Sequence, residues 1–205
     1  RKLGPTYGER PIWRRGDGST LNVHEAEWGR AGNLICWEHW MPLARAAMHN
    51  LGEAVHIASW PTVREEYALA SRHYAMEGRC FVLAAGLVQR RADLFEGLER
   101  VARAQAATSG SADKKLIAEA EALFNAIEGD VLNKGGSMIA APDARIVAQA
   151  GAGDSGGEEI LFAELDLTER GQNLTSLDTD GHYSRPDVFE LSVDTRAKDG
   201  VNWGS

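Results

Sequence analysis

The chain has 205 residues, enough to bury a substantial core without disulfide or metal staples. Its composition, 43% hydrophobic and 25% charged, excludes disorder by charge excess and fibrous low complexity. Lys and Arg number 22 against 30 Asp and Glu, a net charge of −8 that disfavours binding to a phosphate backbone; no apolar run approaches the roughly 18 residues of a membrane span.

In chain order, Asn33-Leu34-Ile35-Cys36 is a short apolar run of the buried-strand type. Pro42 sits where a first helical turn tolerates it, residues 43–51 are rich in helix formers, and Gly52 is placed as the stop. Ala54-Val55-His56-Ile57-Ala58 reads as the next strand, ended by Trp60-Pro61-Thr62. The unit repeats: 65–77 is helical, Gly78 ends it, and 79–85 is a second buried strand. Strands alternating with helices of this length predict βαβ units around a largely buried sheet.

Residues 88–133 break this rhythm. Ser109-Gly110-Ser111 reads as a loop or cap, and 114–127 as a helix with Leu116, Ile117, Ala120, Leu123, Phe124 and Ile127 on one stripe, a helical insertion lying on the α/β body. Ser137-Met138-Ile139-Ala140-Ala141 and Arg145-Ile146-Val147-Ala148-Gln149 then flank the turn Pro142-Asp143-Ala144. Residues 159–165 read as one more strand, Asp166 as a helix start, 178–189 as polar and turn-rich, and 190–205 as a tail. The whole is taken as a single domain. It opens on Arg1-Lys2-Leu3, without an initiating methionine or a signal segment, as a fragment or processed product does.

Three motifs carry no function. Gly153-Asp154-Ser155-Gly156-Gly157 spells the serine motif of chymotrypsin-like proteases, but the matching histidine context is missing and helix alternates with strand, so it reads as a loop. Asp178-Thr179-Asp180-Gly181 has only two aspartates before its glycine and reads as a turn, not a calcium loop. Cys36-Trp37-Glu38-His39 offers a Cys-x-x-His pair with no second pair to complete a metal site.

Both cysteines, Cys36 and Cys80, are read as free thiols in a reducing, cytoplasmic setting. Cys36 ends an apolar strand and precedes a tight turn into the helix begun by Pro42. That context resembles a nucleophile elbow, which exposes a side chain at the carboxyl edge of a sheet, where a helix N-terminus and a nearby cation lower a thiol pKa. Cys80 begins a strand after a helix stop and reads as a buried small hydrophobe.

Arg1-Lys2-Leu3-Gly4-Pro5-Thr6-Tyr7-Gly8-Glu9-Arg10, Leu34-Ile35-Cys36-Trp37-Glu38-His39-Trp40-Met41-Pro42, His56-Ile57-Ala58-Ser59-Trp60-Pro61, 74–81 and 181–187 together resemble the nitrilase branch of the carbon–nitrogen hydrolase family. The resemblance implies a four-layer α-β-β-α sandwich, present here as its C-terminal part, and a Glu-Lys-Cys triad. Lys2 matches the lysine, Cys36 the nucleophile, and Glu9 a second glutamate beside them; the triad glutamate belongs to a motif upstream of Arg1. Also implied are hydrolysis of a small nitrile to a carboxylic acid and ammonia by the cysteine thiol, with amide or cyanide hydrolysis, or an inactive truncated domain that only self-associates, as the alternatives. No metal or other cofactor, no nucleic-acid or membrane partner, and homo-oligomers from dimers to spirals are implied as well. Trp37, Glu38, His39, Trp60 and Pro61 are candidates to line the substrate pocket, with core packing or turn fixing as the alternatives. One departure is Ala144, where the hairpin turn usually has Gly; it costs on the order of 1 kcal/mol if φ is positive there.

Overall fold

A computed structural model describes residues 2–151 and 157–198. The elements in order are β1 (His24–Ala26), β2 (Gly29–Ile35), a 3₁₀ turn (Cys36–Trp40), α1 (Pro42–Asn50), β3 (Val55–Trp60), α2 (Glu65–Gly78), β4 (Phe81–Gly86), β5 (Val88–Arg90), α3 (Arg91–Ser109), α4 (Lys114–Asn125), β6 (Val131–Lys134), β7 (Met138–Ala140), β8 (Ile146–Gln149) and α5 (Thr168–Leu174).

One six-stranded sheet runs β1-β2-β3-β4-β7-β8, with β2, β3 and β4 parallel and the outer pairs antiparallel. The βαβ reading of residues 33–85 thus corresponds to β2-α1-β3-α2-β4. Pro42 is the first residue of α1, and Gly52, at φ +72°, follows its end. Strand alternation decides what each face meets. Ala58, Trp60, Val82, Ala84, Met138 and Ala140 face α1 and α2, where Met48, Tyr67, Ala70, Tyr74 and Ala75 complete the main core. Val55, Phe81 and Ala141 face the other way and are covered by Leu165 and Leu167.

That second face is only partly covered, since Ile57 and Ile35 keep 41% and 37% of their surface. The sheet is therefore not buried on both sides, as the alternating pattern predicts, and the described residues build one helix layer and one sheet layer of a four-layer arrangement. The reading of 159–165 as a strand is also corrected: it carries no ladder partner, and Ile160 and Phe162 stand 80% and 86% exposed. Apolar alternation specifies a strand only where a neighbour completes its hydrogen bonds.

Residues 88–134 form an arm of their own. β5 and β6 pair antiparallel as a two-stranded sheet, and α3 and α4 pack on each other through the Phe95 and Phe124 rings, 5.5 Å apart. No residue of either helix is buried, so the arm does not lie on the α/β body as its apolar stripe suggests; Phe124 of that stripe meets Phe95, while Leu116 and Leu123 stay exposed. The helix stop after α2 is corrected too. Gly78 stays helical and Arg79 takes the left-handed position at φ +48°. Arg79 is held there by its guanidinium, which donates to the carbonyls of Leu177 (3.0 Å) and Pro142 (2.9 Å). The protease-like residues 153–156 and the final residues 199–205 lie outside the described residues, and 190–198 carry no helix or strand.

Ala144 sits in the hairpin turn at φ +69°. Its carbonyl accepts a hydrogen bond from Arg72 Nε, which a glycine retains. Ala144→Gly is expected to relieve up to about 1 kcal/mol of left-handed strain, raising the melting midpoint by about 2–4 °C; an unchanged or lower midpoint contradicts this.

Candidate active site

The site is built where β2 ends. Cys36 adopts φ +56°, a conformation unfavourable for a residue with a Cβ, at the junction of strand and 3₁₀ turn. A strand-to-turn reversal of this kind lifts a side chain off the sheet edge, as an elbow requires. The Trp37 backbone N–H acts to lower the Cys36 thiol.

Glu38 fixes the reversal. Its carboxylate accepts from the backbone N–H of Ile35 at 2.7 Å and of Leu3 at 2.5 Å, so one buried side chain ties the Cys36 turn to the segment that carries Lys2. On that segment the Lys2 ammonium donates to Thr6 Oγ1 and to Glu9 Oε2, both at 2.7 Å. Glu9 also accepts from the Thr6 backbone N–H at 2.7 Å. These bonds make a capping-box arrangement around Tyr7–Glu9, and Lys2 is only 11% exposed within it.

A cleft of about 590 Å³ opens onto these groups. Lys2, Thr6, Glu9 and Cys36 form its polar side, and Ile35, Trp37, Trp60, Pro61 and Tyr67 form most of its apolar side, with Ser59 and Arg64 at the rim. Trp60 stacks on Tyr67 at 4.5 Å and donates through Nε1 to Ser71, so it presents a ring edge while its body belongs to the core. A larger hollow of about 850 Å³, lined by Leu3 and residues 10–15, contains none of Lys2, Glu9 or Cys36.

Of the residues singled out from the sequence, Lys2, Glu9, Cys36, Trp37, Trp60 and Pro61 thus converge on one cleft. Glu38 and His39 do not line it. Both are buried behind the turn, where Glu38 holds the two backbone groups and His39 Nδ1 lies 2.7 Å from the Cys36 carbonyl. Thr6, Tyr7, Ile35, Ser59, Arg64 and Tyr67 are cleft residues the sequence reading missed. Only Thr6 carried a local signal, the Thr-x-x-Glu spacing of a capping box.

The electrostatics depart from the thiolate expectation. Burial pushes the Cys36 thiol up, and the Lys2 charge and the Trp37 N–H only partly offset it. The missed factor is desolvation by the apolar walls of the cleft. Glu9 is held below the usual carboxylate range, first by its hydrogen bond from Lys2 and then by the Thr6 N–H. Among the described residues no group of three or more His, Cys, Asp or Glu is placed to hold a metal ion, and no helix is long and apolar enough to cross a membrane.

Known proteins of this shape and sequence point one way. Residues 1–172 match the family model for carbon–nitrogen hydrolases. The chain is 40% identical, over 98% of its length and 57% of the relative's, to an aliphatic nitrilase from Sinorhizobium fredii. It is 36% identical, over its full length and 53% of the relative's, to a bifunctional nitrilase/nitrile hydratase from Lupinus angustifolius. A carbon–nitrogen hydrolase from Helicobacter pylori superposes with a TM-score of 0.60 at 19% identity, covering 86% of this chain and 55% of that one. The NitFhit protein of C. elegans gives 0.59 at 19% identity over 94% and 40%. The chain belongs to the carbon–nitrogen hydrolase family, in its nitrilase branch. It spans about half the length of the curated relatives it matches.

The two thiols are sharply unequal in this structure. Cys80 is fully buried, and burial raises its thiol well above the ordinary value, whereas Cys36 borders the cleft. Iodoacetamide followed by peptide mass mapping is expected to modify Cys36 before Cys80, with a Cys36 rate that goes on climbing past the pH at which free cysteine levels off, because burial raises the Cys36 thiol. Labelling of Cys80 first, or a Cys36 rate that levels off before that of free cysteine, contradicts the assigned environment.

Proposed function

We propose that this segment carries the nucleophile and the electrostatic half of a nitrile-hydrolysing site. The observation behind the reading is the convergence of Cys36, Lys2 and Glu9 on one apolar-walled cleft in a chain of the nitrilase branch. A nitrile carbon is a weak electrophile and needs a soft, strong nucleophile, which a cysteine sulfur supplies. The raised Cys36 thiol must lose its proton as it attacks, so a carboxylate base is required. In the family pattern that base is the glutamate of the motif preceding the residues of this chain. Glu9, already engaged with Lys2 and the Thr6 N–H, serves as the ammonium's anchor.

Addition of the thiol across the nitrile gives a thioimidate, with negative charge developing on nitrogen. Lys2 commits two of its three N–H donors to Thr6 and Glu9, which leaves one for that nitrogen. Water adds to the thioimidate, ammonia leaves, and a second water releases the carboxylic acid from the thioester and restores the thiol. The sum is one nitrile and two waters to one acid and one ammonia. Expulsion of the thiol before ammonia yields the amide instead, the product of the nitrile hydratase activity for which the bifunctional Lupinus relative is named. Trp37, Trp60 and Pro61 form the wall for an apolar substituent. A reducing cytoplasmic setting, argued from the two free thiols, and homo-oligomers, implied by the family resemblance, accompany this reading.

The test is Lys2→Ala in the whole protein, assayed for ammonia and for amide with aliphatic and aryl nitriles. Loss of one preorganised donor is expected to lower kcat by about 10²–10³-fold. Retention of most of the activity would remove Lys2 from the mechanism.

A further inference from the structure

Behind the Cys36 turn, on the side away from the cleft, lies a chain of buried polar groups that the proposed chemistry does not use. His39 Nδ1 is 2.7 Å from the Cys36 carbonyl oxygen, and His39 Nε2 is 3.1 Å from His56 Nε2. His56 Nδ1 is 2.7 Å from Glu53 Oε2, and the Tyr74 hydroxyl donates to the other oxygen of Glu53. His39, His56 and Glu53 are 2%, 0% and 1% exposed, so water does not complete their hydrogen bonds. The molecule makes room for them: a Cβ on Gly32 would overlap the Glu53 carboxylate.

We propose, building on the nitrilase reading, that His39, His56 and Glu53 are positioning residues for Cys36, joined in one buried line that ends on the Cys36 carbonyl. A carbonyl only accepts, so His39 Nδ1 carries a proton and donates to it. Burial presses the His39 pKa down to about 3, so its ring is neutral and Nε2 faces His56 as a lone pair. Glu53 anchors the far end, with one oxygen 2.7 Å from His56 Nδ1 and the other accepting from the Tyr74 hydroxyl.

The Tyr74 ring stacks on His56 with centroids 3.8 Å apart and holds the second imidazole in place. The result is a packed line from the α2 and β3 core to the one carbonyl whose residue stands at φ +56°. Arg45, which donates to the His39 carbonyl at 3.0 Å and pairs with Glu77 at 2.6 Å, fixes the other end of the His39 backbone. The line grips the Cys36 peptide and not its sulfur, so its role is aim: it keeps the thiol at the angle from which the cleft is reached.

Two amides distinguish aim from mere packing. His39→Asn places an N–H donor where Nδ1 stood and keeps the grip on the Cys36 carbonyl, whereas His39→Gln places its amide nearer the Nε2 position and loses it. In the whole protein, His39→Asn is expected to keep the rate of Cys36 alkylation by iodoacetamide within about threefold of the parent, and His39→Gln to slow it by about tenfold or more. With a nitrile substrate the loss falls on kcat and leaves KM unchanged. Equal alkylation by the Asn and Gln variants, or a loss confined to KM, would overturn the proposal. Alkylation needs no nitrile, so a parent protein that turns over no nitrile defeats the proposed function and leaves this test standing.

Discussion

Everything in the site depends on the Glu38 carboxylate. Two backbone N–H groups, those of Leu3 and Ile35, lie far apart in sequence and converge on its two oxygens. Hydrogen bonds from backbone donors to an ionised acceptor are about twice as strong as neutral ones, and an unpaired buried donor costs about 1–3 kcal/mol. The carboxylate therefore acts as a clamp. It locks the end of β2 to the segment that bears Lys2, Thr6 and Glu9, and so sets an ammonium and a sulfur on the same cleft.

The clamp works because the sheet behind it is rigid. Parallel pairing of β2 with β3, and of β3 with β4, fixes the height of Ile35, Ser59 and Ala85 in one register, and Trp60 then closes the edge by stacking on Tyr67. His39 lies against Trp60 with centroids 4.7 Å apart, so the turn, the cleft wall and the core move as one body. An unfavourable φ at Cys36 persists in such a setting because its neighbours over-determine it. The same packing also desolvates the sulfur, which is why the thiol is raised and why the proposed mechanism couples its attack to proton removal.

The parts of this molecule that follow from local pattern were legible in the sequence: the β2-α1-β3-α2-β4 succession, the stop at Gly52 and the turn at Cys36. What depended on distant partners was not. Residues 159–165 have strand composition but no neighbour to pair with, and α3 with β5 and β6 emerge only from contacts within the arm. At the site, Lys2 and Glu9 stand seven positions apart, a spacing that guarantees nothing until Thr6 is seen to bridge them. Glu38 and His39 looked equally suited to the cleft or the turn, because both roles need a polar side chain; burial of both behind the turn decides between them. The fate of His56 was hidden for a related reason. A lone histidine on an apolar strand shows no partner in sequence, and its partners come from Glu53, Tyr74 and His39 on three other segments.

The central claim is that Cys36 forms the bond to the substrate carbon. Rapid acid quench of the whole protein during turnover of a slowly hydrolysed aryl nitrile, followed by peptide mass mapping, tests it most directly. The account predicts a thioimidate or thioester adduct on the peptide containing Cys36, appearing before product and vanishing as substrate is exhausted, with Cys80 unmodified. Steady release of ammonia with no adduct on Cys36, or an adduct on another residue, would contradict it.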